Sequence, residues 1–596
     1  MPDAAGPFFF GPPQRRTFGW LHAAADARAE VGVVLCNPFG FEAICTHRSF
    51  RHFAEAFARA GFPALRFDYD GTGDSAGSDR DPGRVRAWVD SVHAAVDVLR
   101  ERTGVRRVCL FGLRLGATLA ATAAMERADC AGLIAIVPVV SPEQYVRELQ
   151  ALQAWGRLEK SPDGVSGIGE GDQEAAGFVI TAETSAALVP LDLTRIAKAP
   201  APRVLLIERA DRAATGKWAS LLSALGVDVD ARRIAGFTEM NLDPHKAIVP
   251  DAMIAASVAW LTSHAPQMLR DPEGTAAKKT APQHGVDSLV ESGVVETPVF
   301  LDTRRTLFGV VTRPETTPRG GRAILVLNAG AQHRIGPNRL WVTLARHWAR
   351  QGVVVLRLDL AGLGDSRPRA GETENAVYAG SGPADIDDAA AYLRQEWGAG
   401  RIDVVGLCGS AYQAFKAAVK GAKIERVIGI NQQVFFWDPN VPVGVAAVTT
   451  NKAASEVARY RQALLKGESW KKLFTGKVKL GAASRIFRKR VVDFSVSQAR
   501  RVARRFHLPL ENDLATELFA IARHAVDLRF VFTDGEAGEQ LLMELGGSMV
   551  SRLRKKRALT IEKVRGADHT FTAIWTHRVL TARLDEWLGL AGKELT

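Results

Sequence analysis

The chain has 596 residues, 47% of them hydrophobic and 24% charged, with a formal net charge of +12. That length allows about four domains of about 150 residues, or two large α/β domains, and the composition excludes a disordered, collagenous or fibrous chain. No apolar run reaches the ~18 residues of a membrane span, residues Met1 to Phe18 lack a signal pattern, and the five cysteines show no CxxC spacing. The expectation is a cytoplasmic protein with reduced thiols and with no integral membrane segment, metal or cofactor.

In chain order, a hairpin-like stretch (Phe8 to Ala23) precedes VGVVLCNPFGFEAICTHRSFRHFAEAFARAGFPALRFDYDGTGDS, Val31 to Ser75. A buried strand, a Gly-containing loop, an amphipathic helix, a second strand and a polar turn follow one another there. A helix (Val85 to Arg100), a strand (Val105 to Gly112), a sharp turn into another helix and a later strand (Val204 to Asp211) come next. Ser263 to Pro298 is polar and rich in turn residues, which reads as a linker.

The same order then returns. A second hairpin (Thr297 to Arg313) precedes RAILVLNAGAQHRIGPNRLWVTLARHWARQGVVVLRLDLAGLGDS, Arg322 to Ser366. A helix (Ala384 to Glu396), a strand (Arg401 to Cys408), a sharp turn and the strands LRFVFTDG and LTIEKV complete it. Strands alternating with helices imply βαβ units and parallel sheets. The predicted fold is α/β, with two domains in tandem, each a mostly parallel twisted sheet flanked by helices and carrying an inserted cap segment. The boundaries are 1–265, a linker 266–297, and 298–596 with a basic cap at 435–510.

The two sharp turns carry the chemistry. In the nucleophile elbow of the α/β-hydrolase fold, G-x-S-x-G, the nucleophile sits on a strained turn between small residues. The second copy reads Gly406-Leu407-Cys408-Gly409-Ser410. Cys408 takes the nucleophile position, against the plain alternative of a lone inert core cysteine. The fold's order of nucleophile, acid and base is met by Cys408, by Glu536 or Asp534 after LRFVFTDG, and by His569 in a Gly-Ala-Asp-His turn. Aligning the copies puts Asp211 opposite Glu536, which favours Glu536 over Asp534. An imidazole takes the thiol proton and a carboxylate orients the imidazole. Oxyanion donors are expected at the backbone N–H of Gly409 and of Gln332, with Ala331 the alternative to Gln332. His333 either contacts substrate or caps the following helix.

In the first copy the elbow reads Gly112-Leu113-Arg114-Leu115-Gly116, and a guanidinium is no nucleophile. Thr238 and Glu239 stand where the histidine is expected. This half reads as degenerate, with Arg114 either binding an anion or holding the domains together.

These stretches resemble known families. The second half, through GAQHRIGPNRLWVTLARHWARQGVVVLRLDLAGLGDS and GLCGSA, is similar to the α/β-hydrolase group found with exosortase A-type exopolysaccharide loci and called hydrolase 1. The first half resembles the companion hydrolase 2 group through PFGFEAICTHRSF, DYDGTGDSAG and GLRLGA. The resemblance implies an acyl-transfer fold, with nucleophile, acid and base carried over as Cys408, Glu536 and His569.

The excess charge is local. Lys466 to Arg505 carries thirteen Lys or Arg against two acids, a net +11, interleaved with Trp470, Phe474, Phe487 and Phe494. A funnel steering an anionic substrate is one reading and a solvated helix face another. No nucleic-acid motif accompanies the charge, so no nucleic-acid partner is expected. The expected partner is a small-molecule acyl ester or thioester, free or linked to CoA or a carrier protein. The functional readings are a cysteine-dependent acyl hydrolase, an acyltransferase with the same triad and an amine or alcohol acceptor, or a noncatalytic two-domain scaffold. The oligomeric state is left open.

Overall fold

The computed structural model describes residues 5–24, 30–155, 167–212, 214–269, 287–316, 320–438 and 512–590. The expected basic cap falls outside the described residues from 439 onward, as does 270–286 of the expected linker. Two compact units form: one of Met1–Ser381, Asp388–Ile402 and Gly566–Thr596, the other of Gly382–Asp387 and Asp403–Arg565.

The first unit begins with β1 (Gly6–Phe10), β2 (Thr17–His22), β3 (Val31–Cys36), β4 (Ala64–Phe67), β5 (Arg107–Leu113), β6 (Cys130–Ile136), β7 (Gln173–Ala175), β8 (Phe178–Ile180), β9 (Arg203–Arg209) and β10 (Asp228–Ile234). Eight of these form one sheet in the order β1-β2-β4-β3-β5-β6-β9-β10. The β1–β2 hairpin is antiparallel, and every pair from β4 onward is parallel. All residues of β3 and β5 are buried, because helices cover both faces of a parallel sheet and leave no solvent side to mark with polar residues. On one face Phe50, Phe53 and Phe57, spaced three and four along the helix Phe41–Arg59, surround Phe111 of β5 with ring centroids 5.6, 4.7 and 5.9 Å away. Between β6 and β9 an insert carries the helix Pro142–Trp155, the separate β7–β8 hairpin and the helix Ala182–Leu188.

The same unit continues with β11 (Leu289–Glu291), β12 (Val294–Phe300), β13 (Phe308–Pro314), β14 (Arg322–Ala329) and β15 (Val354–Asp359). They run in the order β11-β12-β13-β15-β14, antiparallel up to β15 and parallel between β15 and β14. The end of the expected linker therefore forms strand β11 and the start of β12. The second unit carries all but the first two residues of β16 (Arg401–Leu407), with β17 (Arg426–Ile430), β18 (Asp527–Thr533) and β19 (Leu559–Val564), parallel to one another in that order.

Within the first unit the two sequence copies build the same turn. Ser75 Oγ donates to Asp68 O at 2.7 Å and accepts from Phe18 N at 2.9 Å. Ser366 Oγ donates to Asp359 O at 2.5 Å and accepts from Phe308 N at 2.8 Å. Gly73 and Gly364 have φ of 51° and 53°, and a Cβ at either would strike the carboxyl of Asp68 or Asp359.

The copies also exchange charges. Arg66 of β4 donates to Asp365 at 2.8 Å, and its counterpart Arg357 of β15 donates to Asp74. Arg334 joins Asp74 at 2.7 Å, Asp365 at 2.8 Å and Asp359 at 3.1 Å, with its guanidinium over the rings of Phe308 and Phe18. Burial acts to raise the Asp74 carboxyl, but Arg334 and Arg357 outweigh it and hold it below the usual range.

Candidate functional site

Strand β16 delivers the second copy's elbow. Beyond Arg401 every residue of β16 is buried, and at its end Cys408 adopts φ 59°, ψ −116°, as the N-cap of the helix Gly409–Lys420. This region is rarely occupied by residues other than glycine and carries strain that the surroundings must hold. Cys408 N donates to Ile430 O of β17 at 2.9 Å, and Leu407 N donates to Ser410 Oγ at 3.0 Å. A Cβ at Gly406 would lie 2.7 Å from Ala411 N, so the glycine lets the helix pack against the strand. Gly409 opens that helix, where the first N–H groups have no intrahelical acceptor. Cys408 is half-exposed, whereas Cys36, Cys45, Cys109 and Cys130 are buried. Burial pushes the Cys45 and Cys130 thiols up to about 12, and those of Cys36 and Cys109 higher still.

Glu536 follows β18 in the same unit. It is half-buried, occupies the N-cap position of the helix Ala537–Lys555 and does not cap it with its side chain; Asp534 is exposed. Cys408 and Glu536 thus both follow the carboxyl ends of parallel strands, with β17 between β16 and β18. His569 belongs to the other unit, half-buried in the turn after β19, where Asp568 accepts from Thr572 N at 2.6 Å. Gln332 N–H donates to Ala329 O at 3.0 Å within its own loop, so it is engaged rather than pointing at a substrate position. His333 does not cap a helix: the next two helical segments have Gly336 and Arg339 as N-caps, neither with a side-chain cap. It is buried instead, stacked on His47 at 3.9 Å.

The first copy keeps the elbow without a nucleophile. Arg114 has φ 52°, ψ −122°, close to Cys408. Its Nε donates to Glu42 at 2.9 Å and its Nη2 to Glu148 at 2.7 Å. The guanidinium is therefore held by carboxylates of its own copy, and both roles suggested by the sequence, an open anion site and a bridge between copies, are corrected. Arg114 lines a cleft of about 940 Å³ with Glu208 and Thr215, and no histidine is among its described lining residues.

A second cavity, of about 310 Å³, lies at the carboxyl ends of β3 and β4, lined by Asp68, Tyr69, His47, His333, Phe39 and Trp88 among others. In the sequence Asp68 opens the polar turn DYDGTGDSAG, and nothing local marks it as facing a cavity. Burial, followed by the charge of Asp74, pushes the Asp68 carboxyl up to about 6. The folded protein therefore binds this proton more tightly than the unfolded chain, whose carboxyl titrates near 4. Stability gained from protonating Asp68 is fully present below about pH 4 and is lost progressively as pH rises through about 6. Asp68→Asn is accordingly expected to raise the unfolding free energy at pH 7.5 by up to about 2 kcal/mol and to change it little at pH 4.5. Urea denaturation at the two pH values checks this.

Residues 43–164 match the family model described as Serine aminopeptidase, S33. The matched segment contains the first elbow, with Arg114 at the nucleophile position. No curated protein matches the sequence. Among solved structures, Est1E from Butyrivibrio proteoclasticus aligns at 15% identity over 45% of this chain and 100% of its own, with a TM-score of 0.32. Proline iminopeptidase from Mycobacterium smegmatis aligns at 15% identity over 44% and 99%, with a TM-score of 0.31. Alpha/beta hydrolase domain-containing protein 10 from mouse aligns at 17% over 44% and 100%, also with a TM-score of 0.31. The α/β-hydrolase fold rests on the family match and the mostly parallel, helix-flanked sheets rather than on these alignments. Among the described residues no helix is long and apolar enough to cross a membrane.

Proposed function

We propose that the second copy is a cysteine-dependent acyl hydrolase acting on esters or thioesters. The observation that carries this is the backbone of Cys408: a half-exposed thiol on a strained turn at the start of a helix, in a chain whose other cysteines are buried. Nothing in core packing requires φ 59° at a cysteine, whereas a nucleophile elbow does.

In this mechanism the Cys408 sulfur attacks the acyl carbonyl and His569 takes the thiol proton. Negative charge developing on the carbonyl oxygen is stabilised by the Gly409 N–H and the positive end of the helix Gly409–Lys420. The tetrahedral intermediate collapses, His569 protonates the leaving alcohol or thiol, and a thioester acyl-enzyme remains. Water, deprotonated by His569, then attacks and releases the carboxylic acid and the thiol. Glu536 orients the imidazole throughout. The acyltransferase reading uses the same residues with an amine or alcohol in place of water, and a CoA- or carrier-linked acyl donor fits either reading. The resemblance to the hydrolases of exopolysaccharide loci supports the same chemistry.

Intact-mass measurement after incubation with a panel of S-aryl thioesters and p-nitrophenyl esters tests this. The expected result is a single acyl adduct mapping to the Cys408 peptide and lost in Cys408→Ala. An adduct on another residue, or none with any acyl chain, overturns the proposal. Added amine or alcohol that diverts product from free acid to amide or ester selects the acyltransferase reading.

A further inference from the structure

The internal repeat exposes an asymmetry around one carboxylate. Asp359 and Asp68 occupy equivalent positions, 291 residues apart. Asp359 accepts four hydrogen bonds: from Asn328 Nδ2 at 3.0 Å, Arg334 N at 2.7 Å, Arg334 Nη1 at 3.1 Å and Asp365 N at 3.0 Å. Asp68 accepts one among the described residues, from Asp74 N at 3.0 Å. The difference lies in two substitutions of role. Ala43 stands where the second copy has Arg334, and Asn37, the counterpart of Asn328, turns its amide to Phe67 O at 2.7 Å. The buried acids Asp70, Asp74, Asp365 and Glu296 each have an arginine in contact, and Asp79, which shares the cavity wall with Asp68, accepts from Ser78 Oγ at 3.2 Å. Asp68 has no ion-pair partner among the described residues.

What faces Asp68 instead is the cavity of about 310 Å³, at the small end of the range that holds organic ligands. Phe39, Trp88, Leu115, Leu119, Phe178 and Ile574 give it an apolar stretch of wall. His333, another lining residue and only 6% exposed, has an Nδ1 without a hydrogen-bond partner. Burial, followed by the charges of His47 and Arg334, holds that imidazole's pKa well below its usual value; the neutral ring has one acceptor nitrogen, which is Nδ1 in the Nε2–H tautomer. The arginines nearby are otherwise engaged. Arg339 donates to the carbonyls of Gly71, Gly73, Ser75 and Gly77, and Arg334 serves three carboxylates. Arg80 lines the cavity from an exposed position. His577, also on the wall, donates to Phe571 O.

A carboxylate with a single internal donor and an imidazole nitrogen with none, beside an apolar stretch of wall, call for a ligand that only donates. An anion would meet the Asp68 carboxylate, and an alcohol brings one donor where an ammonium brings three. We propose that this cavity binds a small amphipathic primary amine, its ammonium held by Asp68 and by Nδ1 of His333, and its hydrocarbon or aromatic body by the apolar walls.

Calorimetric titration of the full chain with three isosteric probes, 2-phenylethylamine, 2-phenylethanol and 3-phenylpropanoate, tests this without reference to Cys408. The amine is expected to bind at least tenfold more tightly than the alcohol, and the propanoate not to bind. Asp68→Asn should abolish the preference for amine over alcohol. Ala43→Arg, which keeps Asp68 and installs the arginine of the other copy, should abolish it as well. Equal binding of amine and alcohol, no binding of any probe, or a preference that survives Asp68→Asn in protein with an intact melting transition overturns the proposal.

Discussion

Replacing Cys408 with alanine is expected to lower kcat/KM for a thioester or aryl ester by at least about a thousandfold, because the residual rate comes only from binding and the oxyanion donors. The melting temperature should not move. Cys408 is half-exposed, its backbone bond to Ile430 does not use the side chain, and alanine at φ 59° suffers the same strain as cysteine. Cys408→Ser should also fall far short, since a hydroxyl gives up its proton to an imidazole much less readily than a thiol. Arg114→Ala serves as the control with the same elbow geometry in the other copy, and turnover should survive it. Steady-state kinetics on the three variants decide the matter. Unchanged turnover in Cys408→Ala would place the nucleophile elsewhere.

The second large effect concerns stability. Arg334→Met is expected to destabilise the first unit by about 3–5 kcal/mol, the range seen when one partner of a buried ion pair is removed. Arg334 is 1% exposed and touches Asp74, Asp359 and Asp365, so its loss leaves three acids facing one another in a site water does not reach. The pH dependence follows from the same contacts. Asp365 is held low by Arg66, His47 and Arg334 against the opposing effect of burial, and Asp74 by Arg334 and Arg357. Carboxyls depressed in the folded state contribute stability above their unfolded value near 4 and lose it as pH falls below that value. The parent protein should therefore lose melting temperature steeply below about pH 4. Arg334→Met should be weakest at neutral pH and lose less on acidification, because its acids are easier to protonate. Melting curves from pH 3 to pH 7.5 would show the two profiles converging; parallel profiles would assign Arg334 a packing role only.

The strands were legible because runs such as VCLFG and VVGLC hold no charged residue, and the bounds read for them, Val105 to Gly112 and Arg401 to Cys408, shift by at most two residues in the structure. The constant offset of 291 between the Gly-Asp-Ser turns made the repeat legible without any structure. The elbow was legible because glycine spacing around Cys408 encodes the turn locally. Arg114 was legible as a non-nucleophile, but its partners Glu42 and Glu148 lie 72 and 34 residues away, and spacing cannot rank such acids. The oxyanion role of Gln332 and the capping alternative for His333 fail for a related reason. A loop's backbone hydrogen bond to Ala329 and a stack on His47, nearly 300 residues distant, leave no trace in local pattern. The basic segment was legible as composition alone, and it lies outside the described residues.

The exchanged arginine–aspartate contacts carry a consequence for how such a chain changes. In a symmetric pair of identical subunits, every substitution appears twice and each residue must suit two identical settings. Covalent fusion lifts that obligation. Arg66 and Arg357 occupy matching positions, yet the former also meets His22 at 3.0 Å and the latter Glu296 at 3.0 Å, whose counterpart in the first copy is Ala5. One strand-borne cation has thereby become locked among carboxylates while its twin sits beside an imidazole. The same freedom lets one copy carry a thiol at its elbow and the other a guanidinium, and lets a chamber open beside Asp68 that the matching site at Asp359 has filled.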